Sequence, residues 1–221
     1  MAPDQAPEVP PEGSRLNTAA RPLPRRFYAR PSTVVAPDLL GRLLLRRLDG
    51  ETLVARIVET EAYQQDDPAS HSFRGRTERT AVMFGPAGLL YVYFTYGMHF
   101  CMNVVTGGVG EGSAVLLRAA EPLDGLGSMA TRRGTNDARL LCSGPARLTE
   151  AMAVGRDMNG ADLAEGDELW IAAGRRVPVD RVAVGPRVGI QLAVDVPWRF
   201  CESGSPWVSR GRPAGRRRAS P

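Results

Sequence analysis

The stretch LLYVYFTYGMHFCMNVVT, residues 89–106, largely decides how this chain folds. It contains two runs rich in aromatic and β-branched residues, 89–95 and 98–106, and Tyr96-Gly97 separates them. Two such runs on either side of a short glycine-containing break are typical of paired strands. The stretch therefore predicts an antiparallel hairpin with Tyr96 at its tip.

A second turn signal lies upstream of this hairpin. Asp49-Gly50 separates LLLRRL from TLVARIVET, and an Asp-Gly pair favours the tight turn of a β-hairpin. In the second of these strands a regular alternation would point Ile57 and Glu59 to the same face. Glu61 then falls at the end of the strand, where functional residues are often found.

The rest of the chain predicts short helices and strands in no regular alternation. We expect one helix near Pro37-Asp38 and another from Pro145 to about Ala153, with Ser143 as its cap. This irregular order disfavours a doubly wound parallel sheet. The expected fold class is α+β, a single domain with a mostly antiparallel, curved β-sheet, flanking helices and a protruding β-hairpin. The further strands are expected at 114–120, 169–172, 177–184, 188–194 and 198–201.

The two ends of the chain differ in composition from the middle. Residues 1–20 are rich in proline and predict a disordered arm, whereas residues 210–221 contain five arginines and predict a flexible basic tail. This leaves residues 21–209 as the folded domain. The arm does not resemble a signal peptide, and no apolar run approaches the roughly 20 residues of a membrane span. We therefore expect a soluble, cytoplasmic protein with no membrane contact.

Cysteine and lysine usage limits the chemistry. The three cysteines are far apart in the sequence, which favours reduced thiols and argues against a zinc site. All 28 basic side chains are arginine, and the formal net charge is +4. Arginine binds phosphates bidentately and stacks on bases, so this surface suits nucleic acid, although a compositional bias would give the same excess. Without lysine, no side-chain amine is present to form a Schiff base.

Polar residues interrupt the apolar strands at three places. Glu59 and Glu61 form a carboxylate pair that suits acid–base chemistry on a glycosidic bond, a metal site, or a plain surface pair. Arg118 lies in the apolar strand AVLLRAA, where its charge needs a partner, and Glu61 or another carboxylate is the natural one. The amide of Asn103 likewise needs hydrogen-bond partners.

The aromatic residues and the basic loop lie close to these groups in the sequence. Four of the five tyrosines fall between residues 63 and 96, where they either pack in the core or stack on a flat ligand. His71 lies in a polar loop that is either a plain surface loop or a phosphate-contacting one. The arginines of this loop are Arg74, Arg76 and Arg79.

Several of these motifs, in one order, resemble the alkyladenine DNA glycosylase family, the mammalian type of 3-methyladenine DNA glycosylase. The resemblance covers roughly residues 25–209. It rests on IVETEAY (57–63), His71, YVYFTYGMHFCMN (91–103), VLLRAAEPL (115–123), CSGPARL (142–148) and GSPWVS (204–209).

The resemblance implies a reaction and the residues that perform it. Family enzymes flip a damaged purine nucleotide out of duplex DNA and hydrolyse its glycosidic bond. Glu61 matches the general base that activates water, and Arg118 matches the residue that holds that water and the carboxylate. A backbone carbonyl near Ile190 is expected to complete the water site. No metal and no cofactor are implied.

The resemblance also implies a base pocket and a DNA-contacting surface. Tyr63, His71 and Tyr93 match the residues that sandwich and hydrogen-bond the flipped base, and Asn103 matches a pocket-wall amide that excludes guanine. Tyr96 matches the hairpin-tip residue that fills the gap left by flipping. The expected DNA-contacting residues are Tyr96, Met98, Arg76 and Arg79.

The sequence therefore predicts a monomeric DNA-repair glycosylase that initiates base excision repair on duplex DNA, associated with the nucleoid in a bacterium. It would leave an abasic site without cutting the strand. Two alternatives stay open at this point, namely a non-catalytic binder of damaged nucleic acid and a hydrolase of free nucleosides. Neither the preferred lesion nor the role of the two tails follows from the sequence.

Overall fold

The computed structural model describes residues 20–95 and 97–211. The predicted arm up to residue 19, Tyr96, which was predicted to lie at a hairpin tip, and the predicted tail from residue 212 lie outside the described residues. The described part contains eight β-strands, five α-helices and three short 3₁₀ turns.

All eight strands belong to one curled sheet in which every pairing is antiparallel. The strands are β1 (Leu43–Leu48), β2 (Glu51–Tyr63), β3 (Leu90–Thr95), β4 (His99–Val105), β5 (Ala114–Asp124), β6 (Leu169–Ala172), β7 (Val182–Gly185) and β8 (Arg199–Glu202). Their order is β3-β4-β5-β2-β1-β6, and the β7–β8 pair joins the sheet through β2. Together with the helices this confirms the α+β prediction.

The two hairpins expected from turn signals are both present. In the first, Asp49 and Gly50 have φ angles of 51° and 80°, and positive φ at both central residues is the mark of the type I′ turn that suits a two-residue hairpin. In the second, β3 and β4 pair from Leu90 with Val104 up to Thr95 with His99, next to the tip.

The helices cover one face of the sheet. Side chains from the second to fifth helices join β2, β4 and β5 in the largest apolar cluster, with Leu39 and Met129 packed among residues such as Ile57 and Leu117. The opposite face of β3, β4 and β5 is left to the functional site. The helices are α1 (Arg25–Tyr28), α2 (Ser32–Leu39), α3 (Leu126–Arg133), α4 (Ala138–Leu141) and α5 (Pro145–Ala151).

Four sequence predictions need correction. The first helix near Pro37 begins earlier, at Ser32, and the residue preceding α5 is Gly144 instead of Ser143. No strand forms over 188–194, although its apolar residues alternate. Gly189 and Ala193 have φ angles of 78° and 49°, and the left-handed conformation interrupts an extended strand. Of the strand expected at 177–184, only the part from Val182 is extended.

Two β-bulges reorient the strands that carry the charged residues. Ile57 pairs with Ala120, but Glu59 pairs with Ala119, so Val58 is an extra residue on β2. One step further the extra residue is on β5, at Arg118. Bulges redirect side chains and are common beside active sites. Consequently Ile57 lies in the apolar core while Glu59 points to the other face, contrary to the regular alternation expected from the sequence.

Candidate active site

A cavity of about 570 Å³ lies against the face of the sheet opposite the helices. Its floor consists of side chains from β3, β4 and β5, among them Tyr93, Asn103 and Arg118. Two loops form its walls, one over residues 68–71 and the other over residues 188–192. The loop that was expected to be a strand is therefore part of the site, because its apolar side chains line the cavity.

Glu61 is buried directly behind this cavity wall and accepts from three donors. The Tyr63 hydroxyl donates to Glu61 Oε2 at 2.8 Å, and the Val188 backbone N–H donates to Oε1 at 2.8 Å. Arg118 Nη1 lies 3.3 Å from the same Oε1. Burial raises the pKa of Glu61, and the Arg118 charge is the strongest influence that opposes this rise. All three donors line the cavity.

Arg118 lies between two buried carboxylates. Its Nε donates to Glu59 Oε1 at 3.0 Å while its Nη1 contacts Glu61, so the partner expected for this buried charge is present twice. The interaction between buried opposite charges is strong only where the geometry satisfies both groups, and breaking such a pair costs more than the pair contributes. The guanidinium therefore fixes the position of Glu61 relative to the cavity.

Glu59 is fully engaged in contacts with other residues. Its Oε1 accepts from Arg118, from Arg199 Nε at 2.6 Å and from the Ser209 hydroxyl at 3.0 Å, while its Oε2 accepts from the Ser209 N–H at 2.8 Å. It does not line the cavity. The two carboxylates of the sequence motif thus have different surroundings: Glu59 anchors Arg118, and Glu61 faces the cavity wall.

Aromatic rings occupy one side of the cavity. The His71 and Tyr93 ring centroids are 4.5 Å apart in an edge-to-face arrangement, and those of Tyr91 and Tyr93 are 5.7 Å apart. A flat base between two rings needs a separation of roughly 7–8 Å, twice the contact distance of carbon atoms. No flat ligand fits between His71 and Tyr93, so these two rings lie on the same side of the cavity.

His71 and Asn103 both make polar contacts with Tyr91. His71 Nδ1 lies 3.1 Å from the Tyr91 hydroxyl, and Asn103 Nδ2 donates to the Tyr91 backbone carbonyl at 3.1 Å. Partial burial and the nearby Arg79 charge lower the pKa of His71, so its imidazole is neutral at pH 7. The sequence predicted no role for Tyr91, and the structure places it beside His71.

Comparison with known proteins assigns the chain to a family. The family model described as methylpurine-DNA glycosylase matches residues 26–206. A relative from Carboxydothermus hydrogenoformans is 50% identical over 188 residues, which is 85% of this chain and 98% of the relative. Relatives from Methanoculleus marisnigri and Streptomyces avermitilis are also 50% identical, over 191 and 194 residues, and the matches cover 85% of this chain and 98% and 91% of those proteins. All three are provisionally named 3-methyladenine DNA glycosylase.

The chain belongs to the methylpurine-DNA glycosylase family. It is a DNA glycosylase, a DNA-repair enzyme that hydrolyses N-glycosidic bonds, and DNA is its substrate. The resemblance stated from the sequence motifs is confirmed.

Three of the four residues of this glycosylase that were expected to contact DNA are described, and none of the three lines the cavity. Met98 is 69% exposed next to the hairpin tip, and Arg76 and Arg79 are exposed on the loop that follows His71. The Arg79 guanidinium lies 5.9 Å from the centre of the Tyr93 ring, at the mouth of the cavity. Tyr96 falls outside the described residues.

The structure of the glycosylase also shows site residues that the sequence did not reveal. Arg187 and Asp67 form a buried ion pair next to Tyr63, and Arg199 and Ser209 bind Glu59. Their partners are more than 100 residues away along the chain, so no local pattern connects them. The only local signal was Arg187 itself, a charge that precedes the apolar residues of the 188–192 loop.

Two further findings concern the described part of the glycosylase. Within residues 20–95 and 97–211, no group of three His, Cys, Asp or Glu side chains is arranged to hold a metal ion. Over the same residues, no helix has both the length and the apolar character of a transmembrane segment.

Proposed function

We propose that this enzyme excises 3-methyladenine and related damaged purines from duplex DNA by base flipping and hydrolysis, without cutting the strand. The observation that supports this most directly is the placement of Glu61. A buried carboxylate with a raised pKa, next to Arg118, lies behind the wall of a cavity that is lined with aromatic rings. This arrangement combines a base for water with a binding site for a flat ligand.

The proposed nucleophile is a water molecule in the cavity wall beside Glu61. Oε1 already accepts from Val188 and Arg118, whereas Oε2 accepts from Tyr63 alone among the described residues. One lone pair of Oε2 is thus available for the water. Glu61 would accept its proton as the oxygen attacks the anomeric carbon, and its charge would stabilise the oxocarbenium-like transition state. We assign the second acceptor for this water to a backbone carbonyl near Ile190.

The cavity suits a flipped purine nucleotide. Its volume lies within the range of roughly 300–1,000 Å³ that is usual for small-ligand sites. Because no base fits between His71 and Tyr93, we place the base with Tyr63 on one face and the His71–Tyr93 pair on the other. A neutral His71 does not repel a cationic alkylated purine, and the tyrosine faces attract it by roughly 1–2 kcal/mol. Asn103 is assigned to the pocket wall, where it disfavours guanine.

The remaining assignments concern the fate of the DNA strand and the enzyme surface that contacts DNA. An enzyme without lysine has no side-chain amine for a Schiff base with the sugar, which supports hydrolysis to an intact abasic strand. The hairpin tip, with Tyr96 and Met98, is assigned to the minor groove, where Tyr96 fills the gap left by the flipped base. We propose that the enzyme acts as a monomer in the cell compartment that contains the DNA.

The purified enzyme is expected to release methylated purine from a duplex and to leave an abasic site that is cut only after alkali. The measurement is a single-turnover gel assay with separate duplexes that contain 3-methyladenine analogues, 7-methylguanine, ethenoadenine and hypoxanthine. Methylated free nucleoside is the control substrate. Release from the nucleoside at a similar rate would support a nucleoside hydrolase, and lesion binding without release would support a non-catalytic binder.

Arg76→Gln is expected to weaken binding to all duplexes alike and to reduce the salt dependence of binding. Each phosphate contact contributes about 0.9 to the slope of log K against log salt concentration. The measurement is a salt titration by fluorescence anisotropy. Arg139→Gln, which changes an exposed arginine on α4, is the control and should leave the slope unchanged. Equal slopes for the Arg76 variant and the parent protein would show that Arg76 does not contact DNA phosphates.

A further inference from the structure

Arg187 and Asp67 form the most completely buried ion pair of the described residues. Their side chains are 0% and 1% exposed. The pair is bidentate: Arg187 Nη2 donates to Asp67 Oδ1 at 3.0 Å, and Nη1 donates to Oδ2. Nη1 also donates to the Ala62 carbonyl at 3.0 Å. A buried charge is retained only when it is paired and hydrogen-bonded in this way.

The guanidinium of this pair also stacks between two aromatic rings. Its central carbon lies 4.6 Å from the centre of the Tyr63 ring and 5.3 Å from that of Trp198. Cation–π contacts strengthen when the cation is removed from water, as it is here. Tyr63 lines the cavity and Arg187 does not, so Arg187 contacts the ring from outside the cavity.

Two residues held by Arg187, its chain neighbour Val188 and the stacked Tyr63, donate hydrogen bonds to Glu61. The residue after Arg187 in the chain is Val188, and its N–H donates to Glu61 Oε1 at 2.8 Å. The ring that Arg187 stacks on carries the hydroxyl that donates to Glu61 Oε2 at 2.8 Å. Two of the three donors to Glu61 are therefore attached to groups that Arg187 fixes, and only Arg118 is independent of it.

We propose that the buried Asp67–Arg187 pair is a positioning element for Glu61, which holds the Val188 amide and the Tyr63 hydroxyl so that both donate to its carboxylate. Asp67 immediately precedes the 68–71 loop and Arg187 immediately precedes the 188–192 loop, so the pair also joins the two cavity walls. The catalytic consequence rests on the proposed role of Glu61 as base, whereas the positioning itself can be measured without catalysis.

A role limited to fold stability would have different consequences. A change to any buried ion pair alters the stability of the fold as a whole. A positioning element changes in addition the protonation of the group that it positions. Hydrogen bonds from Val188 and Tyr63 lower the pKa of Glu61 against the effect of burial. Losing them should therefore raise its pKa further.

The test compares Arg187→Lys and the double variant Asp67→Asn/Arg187→Gln with the parent protein. Lysine keeps the charge but cannot form the bidentate pair, and the double variant replaces the ion pair with two neutral amides of similar shape. The control is Arg46→Gln, which removes another buried arginine, 6% exposed and paired with Glu168, from β1. Carbon-13 NMR of labelled glutamate follows the titration of Glu61, which the Glu61→Gln spectrum identifies.

In both variants of the Asp67–Arg187 pair we expect the Glu61 titration to move to higher pH and single-turnover excision at neutral pH to fall by about 10–100-fold, as for a misplacement of about 1 Å. Affinity for lesion duplex should change by less than the rate. Arg46→Gln should lower Tm but leave both the titration and the pH dependence of excision unchanged. A folded Arg187→Lys protein with an unchanged Glu61 titration would overturn the proposal.

A measurement on the parent protein applies even if every variant unfolds. The Val188 amide proton should be protected from hydrogen exchange, and its chemical shift should follow the Glu61 titration. An unprotected amide, or a shift that does not follow that titration, refutes the positioning. Absence of glycosylase activity in the parent protein would refute the proposed function instead, and the Glu61 titration would still decide this inference.

Discussion

Glu61→Gln is expected to lower the single-turnover rate of base excision by about 10²–10⁴-fold, the range that positioned general acids and bases contribute. Glutamine keeps the shape of the side chain but cannot accept the proton of water. Its oxygen can accept from Val188 and Arg118, and its amide can donate to the Tyr63 hydroxyl, which then accepts. The substitution is therefore compatible with the fold, and binding of a lesion duplex should be retained.

The measurement pairs a single-turnover excision assay with duplex anisotropy and a thermal melt. Glu165→Gln, at an exposed carboxylate that does not line the cavity and forms no ion pair among the described residues, is the control and should behave like the parent protein. Undiminished excision by the Glu61 variant would show that Glu61 is not the base in the reaction. Loss of duplex binding together with a large fall in Tm would instead show that the residue mainly supports the fold.

Among the variants proposed for this enzyme, Arg118→Gln is expected to lower the free energy of unfolding most. The expected loss is about 3–5 kcal/mol, which is typical when one partner of a buried ion pair is removed. Among the described residues, it leaves Glu59 with Arg199 as its remaining cation and Glu61 with none. The measurement is the free energy of unfolding in urea across a range of pH. Arg118→Lys keeps the charge without the Nε donor to Glu59 and should fall between the variant and the parent protein.

The same substitution should move the acid limb of the rate profile to higher pH. Burial already raises the pKa of Glu61, and the Arg118 charge opposes this, so its removal raises the pKa further. A carboxyl whose pKa is higher folded than unfolded stabilises the fold when protonated. The stability of the variant should therefore be greatest below the unfolded pKa and should fall as pH rises through the folded pKa. An acid limb that stays in place or moves to lower pH would contradict this account.

Local sequence signals predicted much of the fold and part of the site. Asp49-Gly50 and the aromatic runs around Tyr96-Gly97 placed two hairpins, because turn chemistry and strand propensity act over a few residues. Arg118 was predicted to have a buried carboxylate partner because a lone charge in an apolar strand is costly. These inferences need no knowledge of distant contacts.

The remaining features depend on contacts between distant parts of the chain. The bulges at Val58 and Arg118 arise from the fit of β2 against β5, which no single strand reveals. The 188–192 loop has the alternation of a strand, but its apolar side chains line a cavity instead of a core. Asp67 and Arg187 are 120 residues apart, and each alone resembles an ordinary charged loop residue.

The bulge at Val58 accommodates one extra residue, and beyond it the length of β2 is as important to this enzyme as the identity of its residues. Side chains of a strand alternate with a period of two, so one inserted residue exchanges the two faces for everything that follows. Val58 is already such an extra residue, so removing its codon would leave Glu61 on the cavity side, whereas removing the codon for Thr60 would point Glu61 into the apolar core and bring Ala62 to the cavity. Beyond the bulge, substitutions along this strand can be accommodated one at a time, whereas a change of one residue in length would exchange the side chains that face the apolar core with those that face the cavity.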